Sequence, residues 1–142
     1  MIDLNNKTKQ EHLLKINSFE NKNLKNSPHE FFGRHLMLNF LHCKFDLENH
    51  NQLKIDMEYA IKTVGAKIIN SIEHKFFPRG ITILYLLSES HASIHTYPEF
   101  NGCFIDIFTC GRTIEVNPFG EILKNLWAPE NLSSNYEERF HL

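Results

Sequence analysis

Hydrophobic and polar positions alternate in two distinct rhythms along this chain. Arg34 to Phe45 (RHLMLNFLHCKF) alternates with the two-residue period of a strand. His50 to Val64 changes to helical spacing, with Leu53, Met57, Ala60, Ile61 and Val64 on one side and Gly65 as a stop. Lys67 to Phe77 and Ile81 to Leu87 are strand-like and are separated by Pro78-Arg79-Gly80. His91 to Tyr97 and Cys103 to Thr109 read as two further strands. Asn117-Pro118 then opens a second helix, with Asn as N-cap, Pro as first helical residue, and Phe119, Ile122, Leu123 and Leu126 as its buried stripe. From Ala128 the tail is polar and predicts little structure.

The order β-α-β-β-β-β-α predicts an α+β fold: a two-layer sandwich in which helices cover one face of a largely antiparallel sheet. Residues 1–31 are rich in Asn and Lys and read as a weakly structured N-terminal extension, with a short helix around Glu11 to Ile16. Residues 32–142 read as the folded domain.

Composition excludes several classes. With 42% hydrophobic residues among 142, a single domain can bury a real core. A net charge of −2 speaks against a broad surface for nucleic acid or anionic lipid. Three cysteines without paired spacing argue against a disulfide framework or a zinc knuckle. The polar start and the lack of a long apolar run predict no export signal and no membrane helix, hence a cytoplasmic protein.

The chemistry gathers in Ser88 to Gly111 (SESHASIHTYPEFNGCFIDIFTCG). Asn101-Gly102 predicts a two-residue hairpin with φ > 0 at both turn positions. That register sets His95 opposite Phe108 and Ser93 opposite Cys110. His91, Ser93, His95, Phe108 and Cys110 then share a face, with His95 and Cys110 as diagonal neighbours and Ser90 near Cys110. Several readings fit these residues: a satisfied core histidine beside a buried thiol, a thiol hydrolase with Cys110 as nucleophile and His95 as base, or a metal site from His91, His95 and Cys110. The metal reading lacks an acidic second shell, so no metal is expected.

At these residues the sequence resembles the prokaryotic S-adenosylmethionine decarboxylases, a pyruvoyl-dependent family. The matching pieces are Gly33-Arg34-His35, Phe76 to Gly80, Ser88-Glu89-Ser90-His91, Ile94-His95-Thr96, Pro98-Glu99 and Phe108-Thr109-Cys110-Gly111. The likeness runs from Phe32 to Leu126. It implies autocatalytic cleavage between Glu89 and Ser90, which turns Ser90 into a pyruvoyl group. That ketone forms a Schiff base with the substrate amine and acts as electron sink. The product would be the aminopropyl donor for polyamine synthesis. The resemblance assigns His95 as processing base, Cys110 as proton donor, Glu99 as the carboxylate for the ribose hydroxyls and Phe76 as the ring on adenine. It also implies a homodimer of cleaved protomers.

The chain departs from the family pattern in places. Thr82 stands where the family has a processing serine and keeps the hydroxyl. Tyr97 replaces a common Trp. Residues 1–31 have no counterpart in compact members, and the tail after Trp127 carries no signal for the family's last strand. Two alternatives stay open: a pyruvoyl-dependent ornithine or arginine decarboxylase on the same scaffold, and an uncut, non-catalytic regulatory or binding subunit.

Overall fold

The computed structural model describes residues 31–110 and 113–140. The expected extension, apart from residue 31, and Gly111 of the Thr-Cys-Gly motif lie outside the described residues.

The chain runs β1 (Phe32–Cys43), α1 (His50–Thr63), β2 (Ile68–Lys75), β3 (Ile81–Leu87), β4 (Ser90–Tyr97), β5 (Gly102–Cys110), α2 (Asn117–Trp127) and β6 (Pro129–Phe140). Six strands form one antiparallel sheet in the order β2-β3-β4-β5-β1-β6. Alternation sorts the sheet into two faces. Leu36, Leu38, Phe40, Ile81, Ile83, Tyr85, Ala92, Ile94, Ile105 and Ile107 are buried and share one core with both helices. The other face carries His35, Thr82, Leu84, Leu86, His91, Ser93, His95, Phe104, Asp106 and Phe108, and neither helix among the described residues covers it. The two-layer α+β sandwich is therefore as the pattern predicts, and a structural likeness given below supports it.

Each helix docks where its apolar stripe permits. On α1, Leu53, Met57, Ala60 and Ile61 are buried, and the N-cap Asn49 side chain accepts a hydrogen bond from Gln52 N. On α2 the buried positions are Phe119, Gly120, Leu123 and Trp127. Leu126 is 46% exposed, so the stripe passes one residue further than the sequence suggests, with Trp127 as its end. Asn117 is already helical and Val116 takes the N-cap position without a side-chain cap.

Two further corrections concern the strands. The tail expected to be unstructured forms β6 along the whole outer edge of β1, pairing Phe32 with Phe140 and Cys43 with Pro129. Its residues are almost all exposed, so no apolar pattern betrays it; backbone pairing to β1 makes it a strand. The β4–β5 connection is also longer than two residues. A one-turn 3-10 helix, Pro98–Phe100, precedes Asn101, which takes φ 39°. Gly102 is the first residue of β5, and its need is steric, because a Cβ there would lie 2.7 Å from the Phe40 carbonyl oxygen. Asn101 in turn ties this loop down: its Nδ2 donates to Cys43 O and Phe45 O, and its Oδ1 accepts from Leu47 N.

The helices are joined by a buried polar contact. Trp127 Nε1 donates to Asp56 Oδ2 at 2.7 Å, and Gln52 Nε2 donates to Asp56 Oδ1 at 2.8 Å. Removing the carboxylate strands a buried indole N–H. Asp56→Ala should therefore lower unfolding stability by about 2–3 kcal/mol, read from the urea midpoint at unchanged slope.

Candidate active site

The β4–β5 register decides which residues meet. Ser90 lies opposite Thr109, His91 opposite Phe108, Ser93 opposite Asp106 and His95 opposite Phe104. Compared with the two-residue hairpin, the pairing is slipped by four residues. An even slip keeps every side chain on its predicted face, so His91, Ser93, His95, Phe108 and Cys110 do share one face. It does separate His95 from Cys110. The position opposite His95 is six residues from Cys110, or about 20 Å along the sheet. His95 and Cys110 are not diagonal neighbours, and neither an intrachain thiol–imidazole dyad nor a metal site from His91, His95 and Cys110 is formed.

The site residues expected from the sequence thus divide into two groups. At one end, the Cys110 backbone N–H donates to the Glu89 carbonyl oxygen at 2.8 Å. The Glu89 carboxylate is itself held, accepting from Lys67 N at 3.1 Å and Ser88 Oγ at 3.0 Å. Ser90 follows with φ 158°, at the margin of what an L residue adopts. Cys110 is exposed beside them.

At the other end, Thr82 pairs with His95 across β3 and β4, and Thr82 Oγ1 lies 2.9 Å from His95 Nδ1. Phe76, Arg79, Thr82, His95, Tyr97 and Glu99 line a pocket of about 320 Å³ there. Phe76 is half exposed, and its ring meets His74 edge-on at 4.7 Å. His95 is five residues from Ser90 on one strand, about 16 Å away.

Between the two groups sits a cluster that the sequence analysis missed. His35 Nε2 lies 2.7 Å from Asp106 Oδ2, and His91 Nε2 lies 3.3 Å from the same oxygen. Ser93 Oγ donates a short hydrogen bond to Asp106 Oδ1. The ligand atoms of His35, His91 and Asp106 all fall within 4.8 Å of one another. The signal was available: Asp106 shares the parity of Phe108 and Cys110, but His35 comes from β1, which only the tertiary pairing brings alongside. Burial alone would push the Asp106 carboxyl up. The hydrogen bonds from Ser93 and His35 and the charge of His91 outweigh it and hold it below the ordinary value of 3.8.

A carboxyl lowered on folding contributes stability above its unfolded value and loses it as pH falls through the folded one. Wild-type melting temperature should therefore drop on acidification below about pH 4, and Asp106→Asn should flatten that drop. Parallel curves for the two proteins would rule out Asp106 as a source of acid sensitivity.

Comparison with known proteins agrees with this geometry. A sequence profile of the family described as S-adenosylmethionine decarboxylase matches residues 34–140. S-adenosylmethionine decarboxylase proenzyme 2 of Bacillus cereus is 38% identical over 102 residues, 71% of this chain and 83% of that protein. The S-adenosylmethionine decarboxylase proenzyme of Brevibacillus brevis is 40% identical over 100 residues, 70% and 75% of the two chains. The crystal structure of the adenosylmethionine decarboxylase from Aquifex aeolicus superposes with a TM-score of 0.70 at 25% identity, covering 80% of this chain and 94% of that one. With Ser-Glu-Ser-His at the start of β4 and Thr-Cys at the end of β5, and with a family match over most of its length, this chain belongs to the S-adenosylmethionine decarboxylase family.

Proposed function

We propose that this chain, a decarboxylase by family, is made as a precursor that cuts itself between Glu89 and Ser90 and then decarboxylates S-adenosylmethionine as a homodimer. The observation that carries the reading is the Cys110 N–H on the Glu89 carbonyl, directly before a serine. Attack by Ser90 Oγ on that carbonyl carbon places negative charge on the oxygen that Cys110 already holds. The amide becomes an ester, and loss of the Ser90 α-proton then releases the Glu89 main-chain carboxylate and splits the chain; water hydrolyses the dehydroalanine left at residue 90, through its imine tautomer, to the ketone and ammonia.

The residues fit the pyruvoyl group that Ser90 would become. Its neighbour Cys110 is exposed, and its upstream partner Glu89 is anchored through both carboxylate oxygens. When formed, the group supplies an electron sink for loss of carbon dioxide. Cys110 would return a proton to the substrate carbon. In the tautomer that donates Nδ1–H to Thr82 Oγ1, His95 has Nε2 available as a base.

That base cannot serve its own chain, being about 16 Å from Ser90. A second copy solves this. Two such faces stacked in opposite directions would bring His95, Thr82, Phe76 and Glu99 of one protomer to the end of the partner's sheet where Cys110 and the Glu89–Ser90 bond lie, twice over. The face suits such burial, since Ile72, Leu84, Leu86 and Phe104 are all about half exposed or more. Among the described residues no helix is long and apolar enough to cross a membrane, and the proposed setting is cytoplasmic.

Intact mass should show fragments 1–89 and 90–142, while Ser90→Ala stays whole. His95→Ala should process about 10²–10⁴-fold more slowly alone. Co-expressed with Ser90→Ala, its chain should be cut, because the partner supplies His95. Wild type that never cuts would support the non-catalytic subunit. A cutting wild type with no rescue in the mixture would refute the shared site.

Substrate choice has its own test. Phe76→Ala should raise the Michaelis constant for S-adenosylmethionine several-fold, since ring stacking contributes about 0.5–1.5 kcal/mol beyond burial. Glu99→Gln should lower kcat/KM more than about tenfold, the loss of a charged hydrogen bond. Unchanged kinetics, with faster turnover of ornithine or arginine, would overturn the substrate while leaving the self-cleavage intact.

A further inference from the structure

Thr109 on β5 is fully buried, yet its hydroxyl, like that of Tyr85 in β3, has no hydrogen-bond partner among the described residues, and of the two only Thr109 adjoins the Glu89–Ser90 bond. Buried hydroxyls are nearly always paired, because an unpaired one loses its bonds to water for nothing. Thr96 shows the ordinary case on the same face of the neighbouring strand. Its Oγ1 accepts from Ile81 N at 2.9 Å and donates to Ile81 O at 3.3 Å. A valine would fill the Thr109 position equally well without that cost.

The neighbours of Thr109 point to its use. It pairs across the sheet with Arg34 on one side and Ser90 on the other. Arg34 turns its guanidinium to the Ile114 carbonyl at 2.9 Å and to Glu115 at 3.3 Å. Ser90 is the remaining cross-strand neighbour. The bond from Cys110 N to Glu89 O flanks the Ser90–Thr109 pair, which makes it a pair of the non-hydrogen-bonded kind. In such pairs the Cα atoms are about 4.5 Å apart and the side chains approach most closely.

We infer that Thr109 is a positioning residue for self-cleavage: once the Ser90 side chain turns toward it, its hydroxyl accepts the hydrogen bond of the Ser90 hydroxyl and holds Ser90 Oγ against the Glu89 carbonyl carbon. The inference rests on the self-cleavage proposed above. Two adjacent residues of β5 then hold both halves of the reaction, Thr109 the nucleophile and Cys110 N–H the carbonyl oxygen. In the step itself the Oγ–C bond forms and the C–N bond breaks. The hydroxyl proton ends on the Ser90 nitrogen, and no atom enters or leaves. The buried hydroxyl without a partner is explained as a group kept for this step at the expense of stability.

The test compares four precursors purified fresh and followed by denaturing gel: wild type, Thr109→Val, Thr109→Ala and Thr109→Ser. Val and Ala should cut about tenfold more slowly or worse, and Ser should stay within about threefold of wild type. Ser and Ala share the loss of the methyl and differ in the hydroxyl, so their ratio reads the hydroxyl even if Val folds poorly. In a Ser90→Ala background, where every chain is uncut, Thr109→Val should melt no lower than Thr109. Neutral hydroxylamine should not break the slow Thr109→Val precursor at 89–90, because the ester is not reached. Equal rates for Ser and Ala, or an ester that accumulates in Thr109→Val, would overturn the inference while wild-type cleavage still upholds the self-cleavage reading. A wild type that never cuts would instead remove the reading on which it rests.

Discussion

The hydrogen bond from the Cys110 amide to the Glu89 carbonyl is the contact on which the proposed self-cleavage depends. It is an ordinary rung of an antiparallel ladder, continued one residue before the start of β4. Its position at the Glu89–Ser90 bond makes a structural rung into a polarising contact. The strand pairing therefore does two jobs with one set of bonds. It builds the sheet, and it holds a peptide carbonyl rigidly against a donor before any reaction begins.

That same register has a second consequence. By fixing Ser90 at one end of β4 it sends His95 to the other, since each residue of a strand adds about 3.3 Å. The chain thus carries two candidate half-sites at opposite ends of β4, with a face between them that neither described helix covers. The core behind them is complete, with both helices on the opposite side. What the bare face offers is apolar surface around a polar centre, the His35–Asp106–His91 cluster. A face of that kind suits the second copy proposed above, which would unite the two half-sites.

The fold tolerates local costs around the reacting bond. Ser90 sits at a margin of backbone space, and Thr109 buries a hydroxyl without a partner. Most other interior polar groups are paired: Asp56 takes two donors, Thr96 both accepts from and donates to Ile81, and Asn101 makes three side-chain bonds across the β1 loop, while the Tyr85 hydroxyl is a second buried group without a partner among the described residues. Ser90 and Thr109 are the departures that lie where the proposed chemistry is.

Periodicity along the chain was enough to locate both helices, five of the six strands and the face on which His91, Ser93, His95, Phe108 and Cys110 lie. Face survives an even slip in register because side chains alternate with a period of two, which is why the wrong hairpin still sorted them correctly. Distance does not survive it. The separation of His95 from Cys110 came from a 3-10 turn at Pro98–Phe100 that lengthens the connection, and the motif Asn101-Gly102 alone does not reveal it. β6 has no amphipathic signal of its own, because its partner is the backbone edge of β1 and that edge exists only in the folded sheet. The exposed Leu126 and buried Trp127 were likewise decided by the partner of the indole N–H, Asp56, which lies 71 residues away in α1. The sequence by itself determined which side of the sheet the candidate residues occupy, since that follows from the local period. Only the tertiary structure decided how far apart they stand, because that depends on pairing between segments whose register no local pattern encodes.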